Sequence, residues 1–169
     1  MAIPKILKDF NLFYDGNSWQ GLVSSITLPE LALKMEEYRA GGMDAPVEID
    51  KGMEKLAMEW QVAGLTETVF SGFGTSELNS QMMRFEGAFE SDDDGVVKAC
   101  TVTVRGRHNK IAMGEQKVGE SGTHTISTSL SYYKLAVDGK TLIEIDVPNY
   151  ICVINGVDRL KQRRKALGL

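Results

Sequence analysis

Residues 83–108 read MRFEGAFESDDDGVVKACTVTVRGRH, and their pattern decides the fold class. Every second residue is large and apolar at Met83 and Phe85, before the acidic SDDDG segment, and the alternation resumes at Val102 after it. The dipeptide Asp94-Gly95 favours the positive φ angles of a tight hairpin turn. This period of two on either side of a turn predicts two antiparallel strands, each with one dry and one wet face.

The same alternation recurs through most of the chain. It appears at residues 31–36, at residues 56–62 and again before and after a second turn dipeptide, Asp138-Gly139. Helical patterns are scarce, and the segment LTETVFSGFG, with Thr66 as its N-cap, predicts one short helix. We therefore predict a mainly β protein, an antiparallel β-barrel or sandwich with a single domain over residues 1–169.

Composition and charge limit the classes of function. The chain of 169 residues carries 19 basic and 23 acidic side chains, a net charge of −4, which argues against a general nucleic-acid binder. Cys100 and Cys152 lie in strand-like runs and are expected to be buried, reduced thiols. Charges at Lys5, Lys8 and Asp9 interrupt the first apolar run, so we expect a cytoplasmic product with no signal peptide and no membrane anchor.

The residues with catalytic or metal-binding chemistry are isolated. His108 and His124 lack the partner spacing of a zinc site and are expected to be exposed strand residues. The SDDDG segment does not continue as a calcium loop, because Thr101 stands where a bidentate Glu is required. No phosphate-binding glycine loop or nucleophile elbow is present. We predict no catalytic residue, no cofactor and no metal, and hence a protein that is not an enzyme.

Residues 36–56, EEYRAGGMDAPVEIDKGMEKL, contain a segment between two strand-like runs that is too long for a tight hairpin. It is also too apolar for a solvated loop, with Met43, Val47 and Ile49 inside it. Exposed apolar clusters of this kind are typical of interfaces.

Three separated segments resemble one protein family. They are NLFYDG near the start, EEYRAGGMD with GMEKL in the middle, and NGVDRLKQRRKALGL at the end. Together they resemble the major tail tube protein of contractile-tailed bacteriophages, to which the tube proteins of R-type pyocins are closely similar. The resemblance runs from Asn11 to the C-terminus.

The resemblance implies a structural role in the virion tail. Proteins of this family form hexameric rings whose sheets join into a continuous inner β-barrel, and the rings stack helically into a tube assembled in the host cytoplasm. The implied partners are other copies of the chain, the tail sheath protein, a baseplate or tube initiator, the tape measure protein and DNA that passes through the lumen. Two alternatives stay open: a type VI secretion-like tube protein and, from another class, a small-molecule-binding β-barrel.

Within that resemblance, residues 38–51 are predicted to form the tip of a long hairpin that leaves its own subunit and packs on neighbours. The alternative is a flexible surface loop. The predicted contact residues are Tyr38, Arg39, Gly41, Gly42, Met43, Asp44 and Val47.

Two further surfaces are predicted for the tube. An acidic wall would repel phosphate and keep DNA mobile; its candidate residues, on the lumen or ring-junction face, are Glu59, Glu86, Glu90, Glu144 and Asp146. The Ser/Thr run is expected to place Thr125, Ser127, Ser129 and Ser131 on a wet face. A basic C-terminal arm, alternatively a solvated helix end, is expected to meet the sheath or acidic groups on the next ring through Arg159, Lys161, Arg163, Arg164 and Lys165.

Overall fold

The computed structural model describes residues 3–169, so Met1 and Ala2, where the predicted domain 1–169 begins, lie outside the described residues. The strands β1 to β12 are, in order, Ile6–Tyr14, Asn17–Ser18, Val23–Thr27, Leu33–Tyr38, Val47–Met53, Leu56–Ala63, Gln81–Glu90, Val97–Ala112, Thr123–Val137, Lys140–Asp146, Ile151–Ile154 and Val157–Asp158. Helix α1 spans Glu67–Ser71 and helix α2 spans Lys161–Leu167. The predicted mainly β, antiparallel class is confirmed.

The main sheet branches at its longest hairpin. Its strand order is β12-β11-β10-β9-β8-β7-β1-β2, and β6 with β3 branches from β9. Strand β9 pairs with β8 along its length, whereas its other edge pairs with β10 over residues 132–137 and with β6 over residues 123–130. Within residues 3–169 these pairings do not close the sheet into a barrel.

The core lies on one face of this sheet and follows the predicted alternation. One row of directly paired side chains crosses six strands. Each member is buried, with at most 9% of its surface exposed. The row consists of Tyr14, Met83, Val104, Tyr133, Ile145 and Cys152. Side chains alternate between the two faces of a strand. The residues on either side of each member of the row therefore point to the opposite, polar face of the sheet.

A β-bulge at Ser131 changes the alternation of β9. Arg105 pairs with Tyr132 and Gly106 pairs with Leu130, so Ser131 has no partner on β8. As a result Ser131 turns into the interior, is 7% exposed, and donates to the carbonyl of Leu78. The prediction that Ser131 lies on a wet face is therefore wrong, because the bulge shifts the period by one residue.

The two Asp-Gly turns differ. Asp138 and Gly139 both have positive φ, 49° and 79°, and join the paired residues Val137 and Lys140, as predicted for a two-residue turn. Gly95 also has positive φ, 65°, but its hairpin closes between Glu90 and Val97. That loop is six residues long, so the predicted tight turn at Asp94-Gly95 is wrong.

Both helices are short and lie outside the sheet. Thr66 is the N-cap residue of α1, as predicted, but its side chain makes no capping hydrogen bond. The C-terminal arm is helical, and its N-cap is Leu160. Among residues 3–169, no helix has both the length and the apolar character needed to cross a membrane.

Candidate assembly surfaces

The segment with the apolar excursion forms a hairpin that stands apart from the main sheet. Strands β4 and β5 pair only with each other within the described residues, and Tyr38 pairs with Val47 at the end of the ladder. Residues 39–46 connect them as a loop. We call residues 33–53 the hairpin.

The side chains of the hairpin are largely exposed, and this overturns one expectation. Residues 31–36 were expected to have one dry face, yet every residue of β4 is exposed. Leu33 is 55% and Met35 43% exposed. The alternation is real, but its apolar side has no surface of its own chain to pack against, because a two-stranded ribbon cannot bury a face alone.

One face of the hairpin carries an apolar stripe towards the tip. Tyr38 and Val47 are cross-strand partners, and Ile49 follows on the same face, two residues along β5. These three side chains are 51%, 50% and 40% exposed, respectively. We call Tyr38, Val47 and Ile49 the apolar stripe. Its clustering on a projecting element is the pattern expected of a protein-binding surface.

The loop at the tip has its own internal order. Arg39 Nε donates to the Met43 carbonyl at 3.1 Å, and the Met43 amide donates to the Ala40 carbonyl at 3.2 Å. Gly42 has a φ of 85° and requires glycine, whereas Gly41 lies outside the left-handed region and has open space around it. The tight bend predicted for both glycines therefore occurs at Gly42. Asp44 has no ion-pair partner within residues 3–169.

The basic arm is attached to the body through one of its five predicted residues. Arg164 is half-buried, pairs with Asp158 at 2.5 Å and donates to the Tyr150 carbonyl at 3.0 Å. This contact lowers the pKa of the Asp158 carboxyl below its usual value. Arg164 thus orients the arm rather than presenting charge outward. The other four side chains are exposed: Arg159, Lys161, Arg163 and Lys165.

The five carboxylates predicted for a lumen face lie on the polar face of the sheet. Strand alternation places Glu86 and Glu90 of β7 opposite the core, together with Glu144 and Asp146 of β10. Glu59 of β6 reaches the same face through the branch at β9. Asp146 also accepts from the Asn149 side chain at 2.7 Å, which holds the turn after β10.

Basic side chains interleave with these carboxylates. Arg84 lies 2.9 Å from Glu86 and 4.4 Å from the centre of the Phe13 ring. Arg105 stacks over Tyr132, whose hydroxyl donates to Glu144 at 3.1 Å. The polar face is therefore charged in both signs, and hydrogen bonds and ion pairs within it hold its side chains in place.

An apolar cleft separates the hairpin from the C-terminal end. It has a volume of about 840 Å³. Leu33, Met53 and Asp50 of the hairpin lie on its lining, and so do Arg159 and Arg163 of the arm. Because Leu33 and Met53 remain exposed, the cleft opens to solvent. It differs in this respect from the enclosed cavity that a small-molecule-binding barrel requires.

A buried polar cluster was missed by the sequence reasoning. His108 and His124 are 2% and 3% exposed, so the prediction that both are exposed is wrong. His108 Nε2 lies 3.0 Å from the Tyr14 hydroxyl and Nδ1 lies 2.9 Å from the Thr128 hydroxyl. Strand alternation alone would have predicted the burial of His108, because His108 lies on the same face of β8 as the buried Val104.

The network assigns a neutral tautomer to His108. The Tyr14 hydroxyl donates to Gln81 Oε1 at 2.5 Å, so its oxygen accepts from His108 Nε2–H. Trp60 Nε1–H donates to the Thr128 oxygen at 3.3 Å, which leaves the Thr128 hydroxyl hydrogen for His108 Nδ1. With one proton on the ring, both ring nitrogens are therefore hydrogen-bonded. Burial lowers the pKa of His108 to about 4.

We expect the stability of the subunit to depend on pH through His108. The folded pKa of about 4 lies below the unfolded value of about 6.5, so the unfolded chain takes up the proton first. The stabilisation is fully present above about pH 6.5 and is lost as the pH falls towards 4, by about 2 kcal/mol at pH 5. Urea unfolding from pH 7.5 to 4.5 measures it.

The variant His108→Gln isolates this contribution from that of the carboxylates. Glutamine keeps one donor and one acceptor but does not titrate. The difference in unfolding free energy between the native chain and the variant is expected to shrink as the pH falls. A difference that stays constant across this range would contradict the assignment.

No group of three or more His, Cys, Asp or Glu side chains within residues 3–169 is arranged to hold a metal ion. The exposed features described above are the hairpin, the basic arm, the polar face and the cleft. Together they suit association of protein surfaces.

Comparison with known proteins identifies relatives over the whole chain. The sequence model of the family described as "Phage tail tube protein FII" matches residues 4–168. The tail tube protein of Escherichia phage P2 is 41% identical over 100% of both chains, and the major tail tube protein of Serratia phage KSP20 is 37% identical over 100% of this chain and 99% of its own.

Among solved structures, the fold is similar to a chain in the extended sheath–tube complex of an extracellular contractile injection system termed PVC. The TM-score is 0.57 at 7% identity, over 75% of this chain and 87% of the other. At this identity the likeness concerns the fold.

Proposed function

The chain belongs to the phage tail tube protein FII family, the tube proteins of contractile tails, and we propose that it self-assembles into hexameric rings that stack helically as the inner tube. In this proposal the whole chain, residues 1–169, acts as one tail-tube unit. It assembles in the host cytoplasm and becomes part of the virion tail. The observation that carries the proposal is the hairpin, whose apolar stripe has no partner within the described residues of its own chain.

Unpaired strand edges support the proposed ring. Within residues 3–169, β2 covers only residues 13–14 of β1 and the Trp19 amide donates to the Leu12 carbonyl, so residues 6–11 present a free edge. The two-residue strand β12 ends the sheet on the other side. Free edges are a template for pairing with another chain. Head-to-tail pairing of unlike edges closes into a ring when the rotation permits, and stacking without closure produces a filament. The sheets of neighbouring copies would then form one continuous inner β-barrel.

The lumen would carry DNA after the tape measure protein has left it. We propose that the polar face with Glu59, Glu86 and Glu144 lines this bore. Its carboxylates repel phosphate. Of the interleaved basic side chains, Arg84 is paired with Glu86, and Arg105 stacks over Tyr132. Sheath contraction would drive the tube through the host envelope, with a baseplate component as the initiator of assembly. No step of this role uses a bond-making site, and we propose that the chain acts without enzymatic activity.

The test is assembly of the purified chain. Sedimentation velocity and negative-stain electron microscopy over a range of concentrations are expected to show rings and hollow filaments. The same measurements are repeated on the chain co-expressed with its sheath and baseplate proteins. This second experiment tests whether assembly requires an initiator. A chain that remains monomeric in both settings would refute the proposal.

A further inference from the structure

The hairpin carries a concentrated acidic face opposite its apolar stripe. Glu37 and Glu48 are direct cross-strand partners, and Asp50 follows on the same face, where the exposed Met35 is its cross-strand partner. Like charges directly opposite each other destabilise a two-stranded ribbon. Within residues 3–169 none of the three forms an ion pair, since the Lys51–Glu36 pair of the hairpin lies on the other face. We call Glu37, Glu48 and Asp50 the acidic face.

The basic arm carries an excess of positive charge. Residues 159–165 contain five basic and no acidic side chains, and within the described residues only Arg164 is neutralised, by Asp158. No residue of helix α2 is fully buried, and the helix begins with Lys161, where positive charge opposes the helix dipole. The other four basic side chains of the arm are exposed.

We propose that the acidic face of one copy binds the basic arm of a second copy, through Arg159, Lys161, Arg163 and Lys165. The inference rests on the proposed self-assembly and specifies which surfaces meet. Residues 33–54 carry six acidic and three basic side chains, a net charge of −3, against the five positive charges of residues 159–165. Every copy has one acidic face and one basic arm, so in a head-to-tail arrangement each acidic face can bind the arm of the next copy.

Within the described residues of one subunit the acidic face and the basic arm do not form an ion pair. Asp50 lies on the lining of the apolar cleft together with Arg159 and Arg163, yet within residues 3–169 no ion pair bridges it. The two surfaces are therefore separated by the cleft in a single subunit. The Arg164 contacts with Asp158 and Tyr150 hold the arm in this position, so it is presented for binding rather than folded back onto the hairpin.

Charge reversal tests the inference. One variant carries Glu37→Lys and Glu48→Lys, and a second carries Arg159→Glu and Arg163→Glu; all four positions are exposed, so the subunits are expected to fold normally. Each double variant is expected to need at least about tenfold more protein to form tubes in a pelleting assay. The variant with all four substitutions restores opposite signs and is expected to assemble within about threefold of the native chain.

Control variants reverse charges elsewhere. Glu115→Lys with Glu120→Lys, and separately Lys117→Glu, alter an exposed loop remote in sequence from both surfaces and are expected to leave assembly unchanged. Urea unfolding of every variant verifies the fold. The concentration needed for tube formation is measured by pelleting and by electron microscopy of the same samples.

The outcomes separate the inference from the proposed function. If the native chain forms tubes and either double variant assembles as well as it does, the inference is overturned and the tube function stands. Failure of the fourfold variant to recover likewise overturns the pairing. A native chain that forms no tubes, alone or with its partners, overturns the proposed function and this contact with it.

Discussion

Replacement of Gly106 by alanine is expected to lower the free energy of unfolding by about 3 to 4 kcal/mol, at the upper end of single-residue effects. A Cβ atom at this position would lie 2.1 Å from the backbone oxygen of Ser129 and 3.0 Å from Cα of Leu130. Both are backbone atoms of the paired strand β9, so no side-chain rotation relieves the clash. The two strands would have to separate at the bulge where the sheet branches.

The matched control is Gly41→Ala in the hairpin loop. A Cβ atom there meets nothing within 4 Å, and the residue is outside the left-handed region, so its stability is expected to change by less than about 0.5 kcal/mol. Urea titration followed by far-ultraviolet circular dichroism measures both variants. Equal stabilities for the two would show that the β8–β9 pairing tolerates a side chain at Gly106.

Strand alternation made most of the sheet predictable from the sequence. Met83, Phe85, Val102 and Val104 are all buried, as their period of two indicates. The same rule, applied without regard to residue type, also places His108 in the core. It was assigned to the surface because it lacks the partner spacing of a zinc site, whereas the structure buries it and satisfies it with hydrogen bonds to Tyr14 and Thr128.

Features that depend on the pairing of two strands could not be predicted from the sequence of either strand alone. The bulge at Ser131 lies where the second partner of β9 changes from β6 to β10. The sequence of β9 alone does not show where this change occurs. The loop at Asp94-Gly95 is wider than its dipeptide suggests, because the register of Glu90 with Val97 determines its length.

The candidate surfaces were predicted in part. The hairpin itself was predicted, because the apolar character of residues 38–51 conflicts with a solvated loop, and the structure shows it standing apart from the main sheet. Its contact with neighbouring subunits stays a prediction. The acidic face was not foreseen, since Glu37 and Glu48 become neighbours only through the β4–β5 register. Arg164 was grouped with outward charges, but the structure pairs it with Asp158.

The apolar stripe is where we expect the largest effect on assembly. Tyr38, Val47 and Ile49 are each 40% to 51% exposed, and full burial of a large apolar side chain contributes about 1.5 to 3 kcal/mol. Covering the exposed half of each against a neighbour would contribute about 1 kcal/mol per residue, or about 3 kcal/mol per subunit. Since about 1.4 kcal/mol corresponds to a factor of ten, this predicts a change of about 100-fold.

The triple variant Tyr38→Thr, Val47→Thr and Ile49→Thr is therefore expected to need about 100-fold more protein to form tubes. Threonine keeps the preference for strand structure, so the hairpin itself should persist and the unfolding free energy should stay nearly constant. The control Leu65→Thr, Val97→Thr and Val118→Thr removes three side chains that are even more exposed, at 72%, 56% and 106%. If exposed apolar area alone drove association, the control would impair assembly at least as strongly. Loss confined to the stripe would instead locate the contact on the hairpin, because only there does the register place the three side chains on one face.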